Sequence, residues 1–206
     1  MEKFPQNIPK IEKVEQKENK IEKPQTDEGV NFVFEQNPEL QKIGTKEQYS
    51  KYLENIFPKS KVKNIVYHGG TLTESDRGKD SFTGELGGAH GLYFTGSKSR
   101  AKSYIKADRN KKDYIARSNL HAAILNIENP LDKKIWSKWE FGLDRIGDKE
   151  LEIIRNHNAD GLIEKDFLSR FTQYNTQYVV LDMDQAHVLG SSQDAEKFKA
   201  FIEDRT

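Results

Sequence analysis

Cysteine is absent from all 206 residues, which excludes disulfides, thiolate metal sites and a cysteine nucleophile together. The same absence leaves the redox compartment open. Net charge is absent too: 33 Lys and Arg balance 33 Asp and Glu, so no global field draws the chain to nucleic acid or to an anionic membrane. Any nucleic-acid contact has to come from a local patch. No apolar run approaches the roughly 20 residues needed to span a bilayer, and the opening MEKFPQNIPKIEKVEQ lacks the apolar core of a secretory signal. These lacks predict a protein free of membranes and cytoplasmic where it is made. Histidines 68, 90, 121, 157 and 187 show no His-x-x-x-His or comparable spacing, so no metal site is expected. There is no G-x-S-x-G elbow and no P-loop. Gly87-Gly88-Ala89-His90-Gly91 is glycine-rich but runs toward a strand, without the helix N-terminus that cradles phosphate; His90 remains a residue for lining a cleft.

What is present is one domain's worth of chain, 23.8 kDa, with room for an appended segment. Residues 1–28 alternate Lys and Glu around three prolines, a composition that cannot offset its ordering entropy, and read as a disordered arm. Folding signals begin at Val30-Asn31-Phe32-Val33-Phe34. Thr45 and Gln48 form a capping-box pattern ahead of the stripe Tyr49, Tyr52, Leu53 and Ile56, which Pro58 ends. Residues 29–60 are therefore a helical lead-in packed on a core formed by residues 61–206. Strands are predicted at Val62–Tyr67, Gly91–Thr95, Ala122–Ile127, Leu162–Ile163, Tyr178–Leu181 and His187–Leu189. Helices are predicted over Ser97–Lys106, from an Asp148 cap through Ile154, and after Ser191 or Ser192. The long Gly-, Ser- and Asp-rich stretch Thr71–Gly88 carries Arg77 and Lys79 and reads as a loop, either a lid or solvated. No internal repeat is evident. The sum is an α+β domain with a curved, mainly antiparallel sheet and peripheral helices, split around a cleft.

Chemistry concentrates in three segments. Ile65-Val66-Tyr67-His68-Gly69-Gly70 is a strand ending in His-Gly. Gly91-Leu92-Tyr93-Phe94-Thr95 is a second strand, and Tyr104 follows Tyr93 by eleven positions. Gln177-Tyr178-Val179-Val180 opens a third. In this order and spacing the segments resemble the ADP-ribosyltransferase superfamily, in particular its His-Tyr-Glu branch, which includes diphtheria toxin and the poly(ADP-ribose) polymerases. The resemblance covers about residues 62–190. It also implies a split-sheet fold around an NAD cleft.

The resemblance assigns roles residue by residue. His68 would hydrogen-bond the adenosine ribose of NAD, and the backbone of Gly69 would pair with the nicotinamide carboxamide. Tyr93 and Tyr104 would sandwich the nicotinamide ring, each offset-stacked face contributing about 1 kcal/mol beyond its burial. The family's catalytic glutamate falls on Gln177, where the sequence departs from the pattern. Glutamine can accept a ribose hydroxyl but brings no charge and takes no proton. Loss of such a stabiliser typically costs roughly 10² to 10³ in rate. A second carboxylate such as Glu164, or the acceptor, would then compensate; otherwise the chain is a silent NAD binder or an engineered Glu-to-Gln form. Segment Glu164–Thr176 matches in place the family's acceptor-facing loop, with Phe171 and Tyr174 as its exposed aromatics.

The expectation is a mono-ADP-ribosyltransferase using NAD as co-substrate and a protein or nucleic-acid acceptor, since Gln177 cannot activate a hydroxyl for elongation. A bacterial or phage toxin or effector role is implied, acting as a monomer, with an antitoxin or partner domain as its interaction and a delivery route needing no signal peptide. The alternative is a catalytically silent binding or structural module.

Overall fold

The computed structural model describes residues 26–70, 72, 91–107, 119–139, 146–168 and 174–205. Most of the 1–28 arm, His90, Phe171, and the 71–88 loop apart from Leu72 lie outside them.

The chain enters through helix α1 (Thr26–Gln36), a single turn α2 (Leu40–Ile43) and helix α3 (Lys46–Ile56). α1 turns Val30, Val33 and Phe34 inward. The Thr45 hydroxyl accepts the Gln48 N–H at 3.2 Å, and the Gln48 side chain accepts the Thr45 N–H at 2.8 Å. This reciprocal cap satisfies two of the donors that a helix start otherwise leaves orphaned. Strand β1 (Val66–Gly70) starts four residues later than expected, because Val62 and Ile65 are buried outside the ladder. β2 (Leu92–Thr95), α4 (Lys98–Ala107), β3 (Asn119–Leu125) and the short α5 (Lys133–Trp136) follow. Helix α6 (Asp148–Asn156) is capped one residue earlier than predicted. Gly147 is its N-cap, and the Glu150 carboxylate accepts the Gly147 N–H at 2.9 Å. Asp148 is thus the first helical residue rather than the cap.

β4 (Gly161–Leu168) and β5 (Tyr174–Val180) form a hairpin longer than the alternation suggested. The predicted acceptor loop is therefore largely strand: Glu164 lies within β4, and Tyr174 begins β5. The physical reason is cross-strand pairing, with Phe167↔Asn175 and Leu168↔Tyr174 continuing the ladder past a bulge after Glu164. A 3-10 turn at Met183–Gln185, strand β6 (Ala186–Val188) and helix α7 (Ser192–Glu203), capped by Ser191, close the chain.

The strands build one antiparallel sheet in the order β4-β5-β2-β1-β3-β6. Its pairing is uneven. β1 and β3 hold five register pairs and β2 and β5 hold four, but β1 and β2 meet at the single pair Tyr67↔Thr95. The sheet is one hydrogen-bonded unit with a thin seam in the middle, between β4-β5-β2 and β1-β3-β6.

Strand alternation sorts the core. One face of β1 and β3, through Tyr67, Ala122 and Ile124, is covered by α1, α3, α4 and α7. The same face of β4 and β5, through Leu162 and Val179, is covered by Trp136, Leu151 and Ile154. The other face packs Val66, Phe94, Leu125 and Val180 against Ile127 and Met183. α7 is tied to α3 by the fully buried Asp194. Its carboxylate accepts the Tyr49 hydroxyl, the Tyr52 hydroxyl at 3.1 Å, the His187 Nε2–H at 2.7 Å and the Gly190 N–H at 2.7 Å. Burial beside this carboxylate pushes both tyrosine hydroxyls above their ordinary range. Among the described residues, no helix is long and apolar enough to cross a membrane.

Candidate functional site

The three segments singled out in the sequence fall on adjacent strands. β2 lies between β1 and β5, and Thr95 is the Cα partner of both Tyr67 and Gln177. Gln177 in turn faces Glu164 across β4 and β5. Tyr67, Thr95, Gln177 and Glu164 therefore form one row on a single face. The row crosses from the helix-covered half around Tyr67 to the half around Val179 and Leu162. Thr95 is buried, and Gln177 and Glu164 are half-buried.

Tyr93 stands two residues before Thr95 on the same face, opposite Val179, and packs against the cluster around Trp136, Ile154 and Leu162. Gly69 also turns its missing side chain to this face. A Cβ there would lie 1.8 Å from the Ala101 carbonyl oxygen, so glycine is what lets the α4 backbone rest directly on β1. α4 carries Tyr104, which is 48 % exposed. The Arg100 guanidinium sits 5.1 Å from the Tyr104 ring centroid, a cation–π contact on an otherwise open aromatic face.

His68 is placed differently. Its Cα pairs with His121, and its ring lies 5.6 Å from Phe94, so alternation assigns it to the face opposite Gln177 and Tyr93. The imidazole reaches the seam, where Nδ1–H donates to the Tyr93 carbonyl at 2.8 Å. A carbonyl only accepts, so this bond fixes Nε2 as the lone-pair nitrogen of the neutral ring. Burial, opposed by the Tyr93 hydrogen bond, pushes the imidazole pKa down to about 4. The fold thus brings Gly69, Tyr93 and Gln177 to one face, while the side chain of His68 joins them through the Tyr93 backbone.

His121, passed over in the sequence as a histidine without ligand spacing, is the cross-strand neighbour of His68, their ring centroids 6.3 Å apart. Its Nε2–H donates to the Gly70 carbonyl at 3.1 Å, and burial depresses its pKa. Only the β1–β3 register reveals this pairing; no local pattern around His121 signals it. The Asp194 network is likewise silent in the sequence, because its members lie 4 to 145 positions from Asp194.

An open cleft of about 1200 Å³ lies elsewhere, at the outer edge of β3 and β6, with Phe32, Tyr52, Lys102, His121, His187 and Phe201 on its walls. Neither Tyr93, Tyr104 nor Gln177 lines it. Its walls mix apolar side chains with Lys102, Asp184, Lys197 and Asp204, and its histidine His187 is already held by the buried Asp194 carboxylate at 2.7 Å. Among the described residues, no group of three or more His, Asp or Glu is arranged to hold a metal ion. Comparison of the chain with protein-family models, with curated proteins and with solved structures gave no match.

Proposed function

We propose that the chain is an NAD-consuming mono-ADP-ribosyltransferase of the His-Tyr-Glu type. The observation that carries this reading is the adjacency of β1, β2 and β5 with Thr95 paired to both Tyr67 and Gln177. Three segments far apart in sequence, chosen for one chemistry, meet at the place where the sheet is most weakly joined. In this reading the flat nicotinamide lies against Tyr93 at the β1–β2 seam, with the α4 tyrosine, Tyr104, as its second stacking face and the Gly69 backbone on its carboxamide. Neutral His68 offers Nε2 as an acceptor for a ribose hydroxyl.

In the reaction the bond between nicotinamide N1 and ribose C1′ breaks, and its electron pair leaves with nicotinamide. The ribose becomes oxocarbenium-like, as in glycoside hydrolysis. A nucleophilic oxygen or nitrogen of the acceptor, or water, then bonds to C1′ and releases its proton to solvent. Gln177 accepts from the ribose through its amide oxygen. Having no base function, it favours single transfer over elongation. A macromolecular acceptor and a bacterial or phage toxin or effector setting complete the proposal.

A second reading, a silent transferase-like module, draws on the same Gln177 and on the Arg100 guanidinium that already covers a Tyr104 face. Nicotinamide release from NAD separates the two. It is measured for the parent, for Gln177→Glu and for Tyr93→Ala. Release by the parent that vanishes in Tyr93→Ala supports the transferase. Release by Gln177→Glu alone supports the silent module, and silence in all, without NAD binding, refutes the transferase reading.

A further inference from the structure

We infer that Glu164 is a positioning residue that supplies, through Gln177, the negative charge which the glutamine lacks. The inference rests on the transferase reading above and extends it to a residue on a fourth strand. Glu164 and Gln177 are Cα partners in the β4–β5 ladder, so their side chains leave the same face about 5 Å apart. Thr95 occupies the next place in that row on the far side of Gln177. The ladder loses register immediately after Glu164. A bulge at such a point increases the local twist and re-aims the side chains beside it.

The chemistry of the pair is asymmetric. An ionised carboxylate only accepts hydrogen bonds, whereas an amide has a donor end and an acceptor end. With Glu164 on one flank, Gln177 turns its NH₂ toward the carboxylate and its oxygen toward Thr95 and the seam. That is the orientation in which the oxygen accepts a ribose hydroxyl. The carboxylate polarises the amide and places a negative charge one side chain behind the developing cation at C1′. The bond changes are those already given: the C1′–N1 pair leaves with nicotinamide, and Glu164 neither forms a bond nor takes a proton. A glutamine at the family's glutamate position is then half of a two-residue device rather than a lost function.

The test is steady-state nicotinamide release from NAD by the full chain, resolved into kcat and KM. The proteins are the parent, Glu164→Gln, Glu164→Asp, Gln177→Glu, and Glu164→Gln combined with Gln177→Glu. Glu164→Gln is expected to lower kcat by about 10- to 100-fold, the range of one displaced electrostatic contact, with KM within about 3-fold. Glu164→Asp should retain part of the rate. In the Gln177→Glu background, where the charge is already present, Glu164→Gln should change kcat by less than about 3-fold. An equal loss in both backgrounds means a structural role for Glu164 and overturns the inference. So does a parent rate unchanged by Glu164→Gln, or a parent that is inactive while Gln177→Glu turns over. Silence of every protein, including Gln177→Glu, overturns the transferase reading itself and this inference with it.

Discussion

Lowering the pH from about 7.5 to about 5 protonates the imidazole of an unfolded chain, whose ordinary pKa is near 6.5. It leaves His68 in the folded protein neutral. Burial holds its pKa near 4, and the bond from Nδ1–H to the Tyr93 carbonyl offsets only part of that depression. Between these two values the unfolded state binds more protons than the folded one. The contribution of His68 to stability is therefore full above pH 6.5 and is lost progressively as the pH falls toward 4. For two values about 2.5 units apart, the loss by pH 5 is about 2 kcal/mol. Other groups also titrate over this range, and His121 is depressed in the same direction, so the parent alone cannot isolate the effect. His68→Gln removes the titrating ring and keeps an N–H for the Tyr93 carbonyl. Urea unfolding of both proteins at several pH values isolates the term as the difference between their slopes. The parent should lose about 2 kcal/mol more than the variant across the interval. Parallel pH dependences would show that His68 is not held neutral in the seam.

Asp194→Ala should lower stability by about 3–5 kcal/mol in denaturant titrations, because it strands the buried donors of Tyr49, Tyr52, His187 and Gly190 together. A loss under about 1 kcal/mol would mean that the network does not hold α7 to α3. Gly69→Ala forces a Cβ to within 1.8 Å of the Ala101 carbonyl, so α4 must lift from β1. Destabilisation of about 2 kcal/mol or more is expected, and hydrogen exchange should quicken along α4 before β3; unchanged exchange would refute the close packing. Ser60→Ala removes a buried hydroxyl that donates to the Leu125 carbonyl at 2.7 Å and accepts from the Val62 and Ile127 N–H groups. Its expected cost is about 1–3 kcal/mol of unfolding free energy, and a neutral result would show that those backbone groups find other partners.

Elements with a local signature were legible in the sequence. The Thr45 cap with its Tyr49, Tyr52 and Leu53 stripe appears as α3, and the Ser191 cap opens α7 as expected. Strand ends were harder to read. Val62 and Ile65 mimic a strand ahead of β1 because they are apolar for packing rather than for pairing, and Glu164, Lys165 and Asp166 look like loop residues although β4 runs through them. A hairpin ladder tolerates such residues at the sheet edge, where cross-strand bonds rather than apolar burial hold the backbone. The candidate site was legible as motifs but not as faces. That Tyr93 and Gln177 share a face while His68 belongs to the other follows from register, and register is a property of pairs of strands. The same applies to His68 with His121 and to Gln177 with Glu164.

The thin seam decides which substitutions can be read as chemistry. β1 and β2 share a single register pair, and beyond it the Tyr93 carbonyl is bonded by the His68 ring. That imidazole therefore helps to hold the two halves of the sheet together, whatever it offers a ligand. Removing it weakens the seam, so a loss of turnover in a His68 variant would conflate a displaced strand with a lost ribose contact. Gln177 and Glu164 are instead direct ladder partners, with Gln177 bracketed by Thr95 and Glu164. Isosteric exchanges between Glu and Gln at those two positions keep side-chain shape and backbone ladder while moving one unit of charge across the sheet. A change in kcat that follows the charge, and not the residue carrying it, is the one result that packing cannot imitate.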